Sequence, residues 1–337
     1  MPVTTLNHAM HEETAGALLE RMRAGDVRAL ARAISLVENE TAAAPALLSA
    51  CFPYAGHALR VGLTGAPGAG KSTLVDYLAL HYRTQQQTVG VVAVDPTSPY
   101  TGGAILGDRI RMQRHHADTG LYIRSMATRG YLGGLARATA DVASVVEASG
   151  KDRLLIETVG VGQDEVDIVR LADVTVVVLV PGLGDDVQSI KAGIQEIADI
   201  FVVNKSDREG ADRVVSEILA MQSLGAYPNG WVPPVLKTTA STGQGIEELA
   251  ETIEKCYLAL QQNGRLEAKR TAGWRERLLD MIRQQLMREL VEHRIGHAQL
   301  EEHAHAIAEG REDPYRLVEV LLRDLLAQRA DAEKRDA

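Results

Sequence analysis

The spacing of hydrophobic positions changes twice along this chain, and the two changes divide it into three parts. Over residues 11–51 apolar side chains recur at helical intervals. Leu18, Leu19 and Met22 share one face, and Val27, Leu30, Ile34 and Val37 another, with Gly25-Asp26 as turn and N-cap between them. From Leu59 the pattern becomes short apolar runs separated by amphipathic stretches. Runs at Leu59–Leu63, Thr88–Val94, Leu121–Arg124, Arg153–Glu157, Val174–Val180, Ile200–Val203 and Val235–Lys237 predict strands. Helices are predicted between them at 71–83, 107–116, 133–149, 163–171, 187–198, 209–223 and 245–262. Beyond residue 263 the strand signals stop. Trp274, Leu278, Met281, Ile282, Leu286 and Leu290 keep helical spacing, and Leu317, Val318, Leu321, Leu322, Leu325 and Leu326 repeat it.

Strands this uniformly apolar, alternating with helices, imply an α/β fold whose mainly parallel central sheet is covered by helices on both faces. Helical extensions flank it at each end. The expected division is a helical N-terminal extension over 1–57, a sheet domain over 58–262 and a helical arm over 263–337. From pattern alone, that arm is either a cap on its own subunit or a dimerisation surface.

Composition narrows the function more than the fold. The 337 residues carry a net charge of −9, which argues against binding nucleic acid or an anionic membrane surface. The longest apolar run, Val174–Val180 interrupted by Thr175, is far too short to span a bilayer. No apolar leader segment follows the first residues, so a cytoplasmic location is expected. Cys51 and Cys256 are distant from each other and read as buried, reduced thiols.

The first predicted strand runs into Gly65-Ala66-Pro67-Gly68-Ala69-Gly70-Lys71-Ser72-Thr73, and a helical stretch follows at once. Strand, glycine-rich loop and helix are the context that turns this motif into a phosphate site, and the chain into a P-loop NTPase. The glycines let successive N–H groups turn toward a polyphosphate, and the helix N-terminus adds a favourable dipole. Lys71 is expected to reach the β- and γ-phosphates, and the Ser72 hydroxyl to ligate Mg2+.

A second signature, Asn204-Lys205-Ser206-Asp207, ends another buried strand. Ligands of open parallel sheets bind at the carboxyl ends of strands. Asp207 can accept hydrogen bonds from the N1–H and 2-amino groups of guanine. Adenine offers neither, so the expected ligands are GTP and GDP. Asn204 is expected to hold the base edge and the stem of Lys205 to cover the ring. Thr239-Ala240-Ser241, after the last strand, can offer a backbone N–H to the guanine O6.

Candidates for metal and water come from strand ends. Glu157, followed by Thr-Val-Gly160, takes the place of the aspartate in the Asp-x-x-Gly of switch GTPases; it would hold Mg2+ through a water, with the Gly160 N–H sensing the γ-phosphate. Asp95 is a candidate to orient the attacking water or a metal-bound one. Asp108 is a further candidate ligand, or an N-cap for the helix after it. Gln163 lies three positions beyond Gly160, too far on to match the water-positioning glutamine of Ras-like proteins directly. The glycine- and charge-rich loop 181–191 offers Lys191 to phosphate, partner or solvent.

These stretches together resemble the MeaB/ArgK family of P-loop GTPases. The resemblance rests on residues 65–73, on the long stretch from Val94 to Arg109, on Glu157–Gln163 and on Asn204–Asp207, and the layout agrees over nearly the whole chain. It implies a homodimeric GTPase, joined through the C-terminal helices, that chaperones adenosylcobalamin-dependent methylmalonyl-CoA mutase by gating cofactor loading. Residues 185–191 would then report the nucleotide state to the mutase. No Asp-x-His-x-x-Gly cobalamin motif is present, so the cobalamin would belong to the mutase. Two alternatives compete: a nickel-delivering GTPase, which calls for Cys and His ligands near the switches, and a GTP-dependent scaffold with little catalysis.

Overall fold

Seven strands form a single sheet in which every neighbouring pair is parallel. The structure is a computed structural model that describes residues 14–95, 118–127, 138–159, 164–182, 197–225, 227 and 230–333. The strands are β1 (Leu59–Thr64), β2 (Val89–Asp95), β3 (Leu121–Ala127), β4 (Arg153–Glu157), β5 (Val174–Leu179), β6 (Ile200–Val203) and β7 (Val235–Lys237). Their spatial order is β3-β2-β4-β1-β5-β6-β7. β1 therefore lies in the middle, and the glycine-rich loop leaves the centre of the sheet. Neighbouring parallel strands need crossovers, and helices supply them on both faces.

The N-terminal stretch folds as α1 (14–23), α2 (Val27–Glu38) and α3 (Ala44–Cys51). Asp26 caps α2 by accepting from the Arg28 and Ala29 amides, as its position after Gly25 predicts. These helices share one core with α5 (Thr139–Ala148) and α6 (Asp164–Leu171), against Val92, Val94, Leu154 and Ile156 of the sheet. α4 (Lys71–Thr84) and α8 (Ile246–Gln262) cover the opposite face over Val61, Leu63, Val91 and Leu155. A third cluster packs α7 (Ala211–Ser223) on Val177, Phe201 and Val203. Fully burying each such aliphatic side chain stabilises the fold by about 1.5–3 kcal/mol. Val27 departs from the expected face: at the first position of α2 it is 53% exposed.

The amino ends of the strands are closed by ion pairs. Arg60 donates to both oxygens of Glu147, at 2.9 and 2.5 Å. Arg270 grips Asp173 through two bonds of 2.7 and 2.8 Å, and Lys269 meets Asp199 at 2.8 Å. The carboxylates also take backbone donors, Arg60 N on Asp173 and Thr175 N on Asp199. Burial alone would lower the Arg60 pKa, but the Glu147 and Asp173 carboxylates together outweigh it and raise the value.

The chain divides into two compact units, the first ending at Arg270 and the second beginning at Thr271. α9 (Arg265–Arg288) runs through that division. In the second unit a π-helical stretch, Glu289–Ile295, precedes α10 (His297–Ala308) and α11 (Pro314–Glu333). The hydrophobic spacing does not mark α10, because its twelve residues hold few large apolar side chains. Trp274, Leu278, Met281, Ile282 and Leu286 are each 43–56% exposed. Among the described residues, no helix is long and apolar enough to cross a membrane.

Candidate functional site

Beyond Thr64 the chain turns through Gly65–Gly70 into α4, and two glycines are required by what lies beside them. Gly65 has φ +137°, and a β-carbon there would stand 2.1 Å from Val178 O of β5. Gly70 caps α4 at φ +89°, where a β-carbon would stand 2.4 Å from the Asn204 amide nitrogen. The loop is thus pressed between the central strands and the segment after β6.

Lys71 is only 5% exposed, and its ammonium donates to Gly65 O at 2.6 Å, Ala66 O at 3.1 Å and Val159 O at 3.4 Å. Ser72 donates its hydroxyl to Glu157 Oε1 at 2.7 Å. Glu157 stands opposite Leu63 of β1 on one side and Ala93 of β2 on the other. Asp95, two residues beyond Ala93 and so on the same face, is also buried. A hydroxyl bonded to one carboxylate therefore lies at the strand ends, with a second buried carboxylate on the same face of the adjoining strand. This all-oxygen donor set fits a small hard cation such as Mg2+. Thr158 adds a second tie: its amide donates to Leu63 O, and its hydroxyl to Thr64 Oγ1 at 3.0 Å.

At the end of β6, Asn204 Nδ2 donates to Ala69 O at 2.8 Å, while Oδ1 accepts from the Thr238 hydroxyl and the Ala240 amide. The amide expected to hold the base edge is thus a clasp between the phosphate loop and the turn after β7. Lys205 adopts the left-handed region at φ +55°, uncommon for a side-chain-bearing residue, and reaches Gly68 O at 2.7 Å. Asp207 follows on the exposed rim. In the 239–241 turn, Thr239 N donates to Gln244 O and Ala240 N to Asn204, so Ser241 is the one whose amide these bonds leave over.

The fold thus brings together the phosphate loop, Asp95, Glu157, Asn204, Lys205 and Thr239–Ser241 at one end of the sheet. Asp108, Gly160, Gln163 and the 183–191 stretch with Lys191 lie outside the described residues. Sequence reasoning passed over Thr64, Thr158 and Tyr77. The hydroxyl pair had a signal, since both threonines directly follow strand residues that become partners in register. Tyr77 had none: its contact, 164 residues away, is invisible in an amphipathic helix.

A Pyrococcus abyssi protein named as a GTPase is 49% identical over 312 residues, covering 92% of this chain and 96% of that one. The GTPase ArgK of Escherichia coli is 36% identical over 292 residues, covering 84% of this chain and 87% of its own. Among solved structures, the crystal structure of an LAO/AO transport system kinase matches with a TM-score of 0.68 at 27% identity, covering 93% of this chain and 98% of that one. The family model described as methylmalonyl-CoA mutase-associated GTPase MeaB matches residues 30–295. This chain belongs to that family of P-loop GTPases, as a GTP hydrolase whose ligand is a guanine nucleotide.

Proposed function

We propose that GTP lies across the carboxyl ends of β1, β4, β6 and β7, and that its hydrolysis times the escort of adenosylcobalamin-dependent methylmalonyl-CoA mutase. The observation that carries the nucleotide placement is the double staple between the base and phosphate segments, Asn204 on Ala69 O and Lys205 on Gly68 O. Two segments held this closely are read by one bound molecule.

In this reading the amides of residues 65–73 cradle the phosphates and Lys71 neutralises the β- and γ-oxygens. Ser72, Glu157 and Asp95 would hold Mg2+, with Asp108 a further candidate; the ion supplies charge neutralisation on the phosphates. Asp95 accepts a hydrogen bond from the attacking water and orients it. Asp207 accepts from the guanine N1–H and 2-amino groups, and the Ser241 N–H donates to O6. Adenine would leave the Asp207 carboxylate unsatisfied and set its own amino group against a donor.

The family description supports the mutase as partner. The half-exposed apolar side chains of 274–286 support a homodimer through a C-terminal arm over 263–337, the remaining parts being an N-terminal extension over 1–57 and a GTPase domain over 58–262. Both cysteines are free and buried, and burial pushes each thiol up to about 12. Such thiols fit a reducing cytoplasm and are poor ligands for nickel. The test is single-turnover GTP hydrolysis with and without the mutase, paired with co-purification under GDP and a nonhydrolysable GTP analogue. Faster hydrolysis and nucleotide-dependent association are expected. If neither depends on the mutase, the escort role fails while the GTPase activity stands.

A further inference from the structure

We infer that Tyr77 is a positioning residue for guanine selectivity, holding the 239–245 turn so that the Ser241 N–H meets the base O6. This rests on the base-side placement proposed above.

Tyr77 stands on α4, six residues beyond Lys71, so it belongs to the same helix whose start forms the phosphate cradle. Its ring is half-buried against the core beneath α4 and α8. Its hydroxyl donates to Ser241 O at 3.2 Å. The turn crosses the ring edge at Gly243, which has φ +78°. A β-carbon there would stand 3.2 Å from Tyr77 Cε1 and 3.3 Å from Cδ1. The turn is therefore shaped to lie on this ring, with no side chain between.

From the other side Asn204 Oδ1 takes the Ala240 N–H at 3.1 Å. One clamp fixes the amide of Ala240 and the other the carbonyl of Ser241. The peptide plane between those two residues carries the Ser241 N–H, and fixing both flanks sets its direction. A hydrogen bond to a base is steeply sensitive to such direction. Sequence separation hides the arrangement, but the geometry makes α4 a rigid spacer between the phosphate cradle and the reader of O6.

The experiment compares wild type with Tyr77→Phe, which keeps the ring on Gly243 and removes only the hydroxyl. Binding is measured by calorimetry for GDP, inosine diphosphate and 2-aminopurine riboside diphosphate. The first two carry O6 and the third does not, although it keeps the 2-amino group. Tyr77→Phe is expected to weaken GDP and inosine diphosphate by the same factor, about two- to tenfold, and to leave the 2-aminopurine nucleotide unchanged. Equal weakening of all three would make Tyr77 ordinary support for the fold and overturn the inference. No weakening of any would overturn it too. If wild type itself binds the 2-aminopurine nucleotide as well as GDP, the O6 contact is absent, and the base-side placement falls first.

Discussion

At the amino ends of β1, β5 and β6, buried carboxylates meet guanidinium and ammonium groups in closed pairs. Arg60 with Glu147, Arg270 with Asp173 and Lys269 with Asp199 share most of their donors and acceptors among themselves. Around the glycine-rich loop at the carboxyl ends, neutral oxygens take a large part in the bonding. Lys71 rests on main-chain carbonyls, Glu157 on a serine hydroxyl, and Asn204 on a loop carbonyl. Neutral partner oxygens such as these can give way to phosphate or metal, because the buried Lys71 and Glu157 charges then gain an oppositely charged partner in place of a neutral one. A bidentate ion pair cannot be opened that way. One end of the same sheet is built to stay shut, and the other to trade partners.

The sharpest break in that contrast is Lys71→Ala. Losing its charge-assisted bonds to phosphate should weaken GTP and GDP on the order of a thousandfold, about 4 kcal/mol, with little change in the melting temperature of the nucleotide-free protein. Wild-type-like affinity by calorimetry would remove the phosphate loop from the site. Glu147→Ala attacks the other end. It strands the Arg60 guanidinium and should cost about 3 kcal/mol in urea unfolding, while nucleotide affinity of the folded protein stays within about twofold. A large affinity loss would mean that the two ends are not independent.

Glu157→Gln keeps the Ser72 bond but removes the charge that would hold the metal. Single-turnover GTP hydrolysis should slow by on the order of tenfold to a hundredfold, with GDP affinity changing far less. An unchanged rate would shift the metal role to another carboxylate. The smallest effect is expected at Asp26, a partly exposed charge at neither end. The Ala29 amide, and then Arg21, hold its carboxyl below the ordinary value of 3.8. Its contribution is therefore present above that value and is lost as pH falls through the lower folded value. Asp26→Ala should lower the melting temperature slightly at neutral pH, and the difference should vanish in acid. A difference that persists in acid would mean that helix capping by the carboxylate is not its source.

Strands and helices were largely legible because their signals are local. The runs at 153–157, 200–203 and 235–237 become β4, β6 and β7 with those bounds. α10 was not legible, since a helix with few large apolar residues has no stripe to read. Within the site, the loop motif and the Asn-Lys-x-Asp segment announce themselves by composition. The clasping role of Asn204 does not. It depends on Ala69, Thr238 and Ala240 arriving from three other elements.

From sequence alone come the phosphate loop, the Asn-Lys-x-Asp segment, the parallel character of the sheet and the helical ends. Each is written in residues that are neighbours or at fixed short spacing, where backbone sterics and periodicity suffice. Tertiary structure decided which loops face one another: Tyr77 beneath the 239–245 turn, Thr158 on Thr64, and Arg270 on Asp173. Those contacts join positions 94 to 164 residues apart. They exist only because strand order β3-β2-β4-β1-β5-β6-β7 folds distant segments onto the same ends of one sheet.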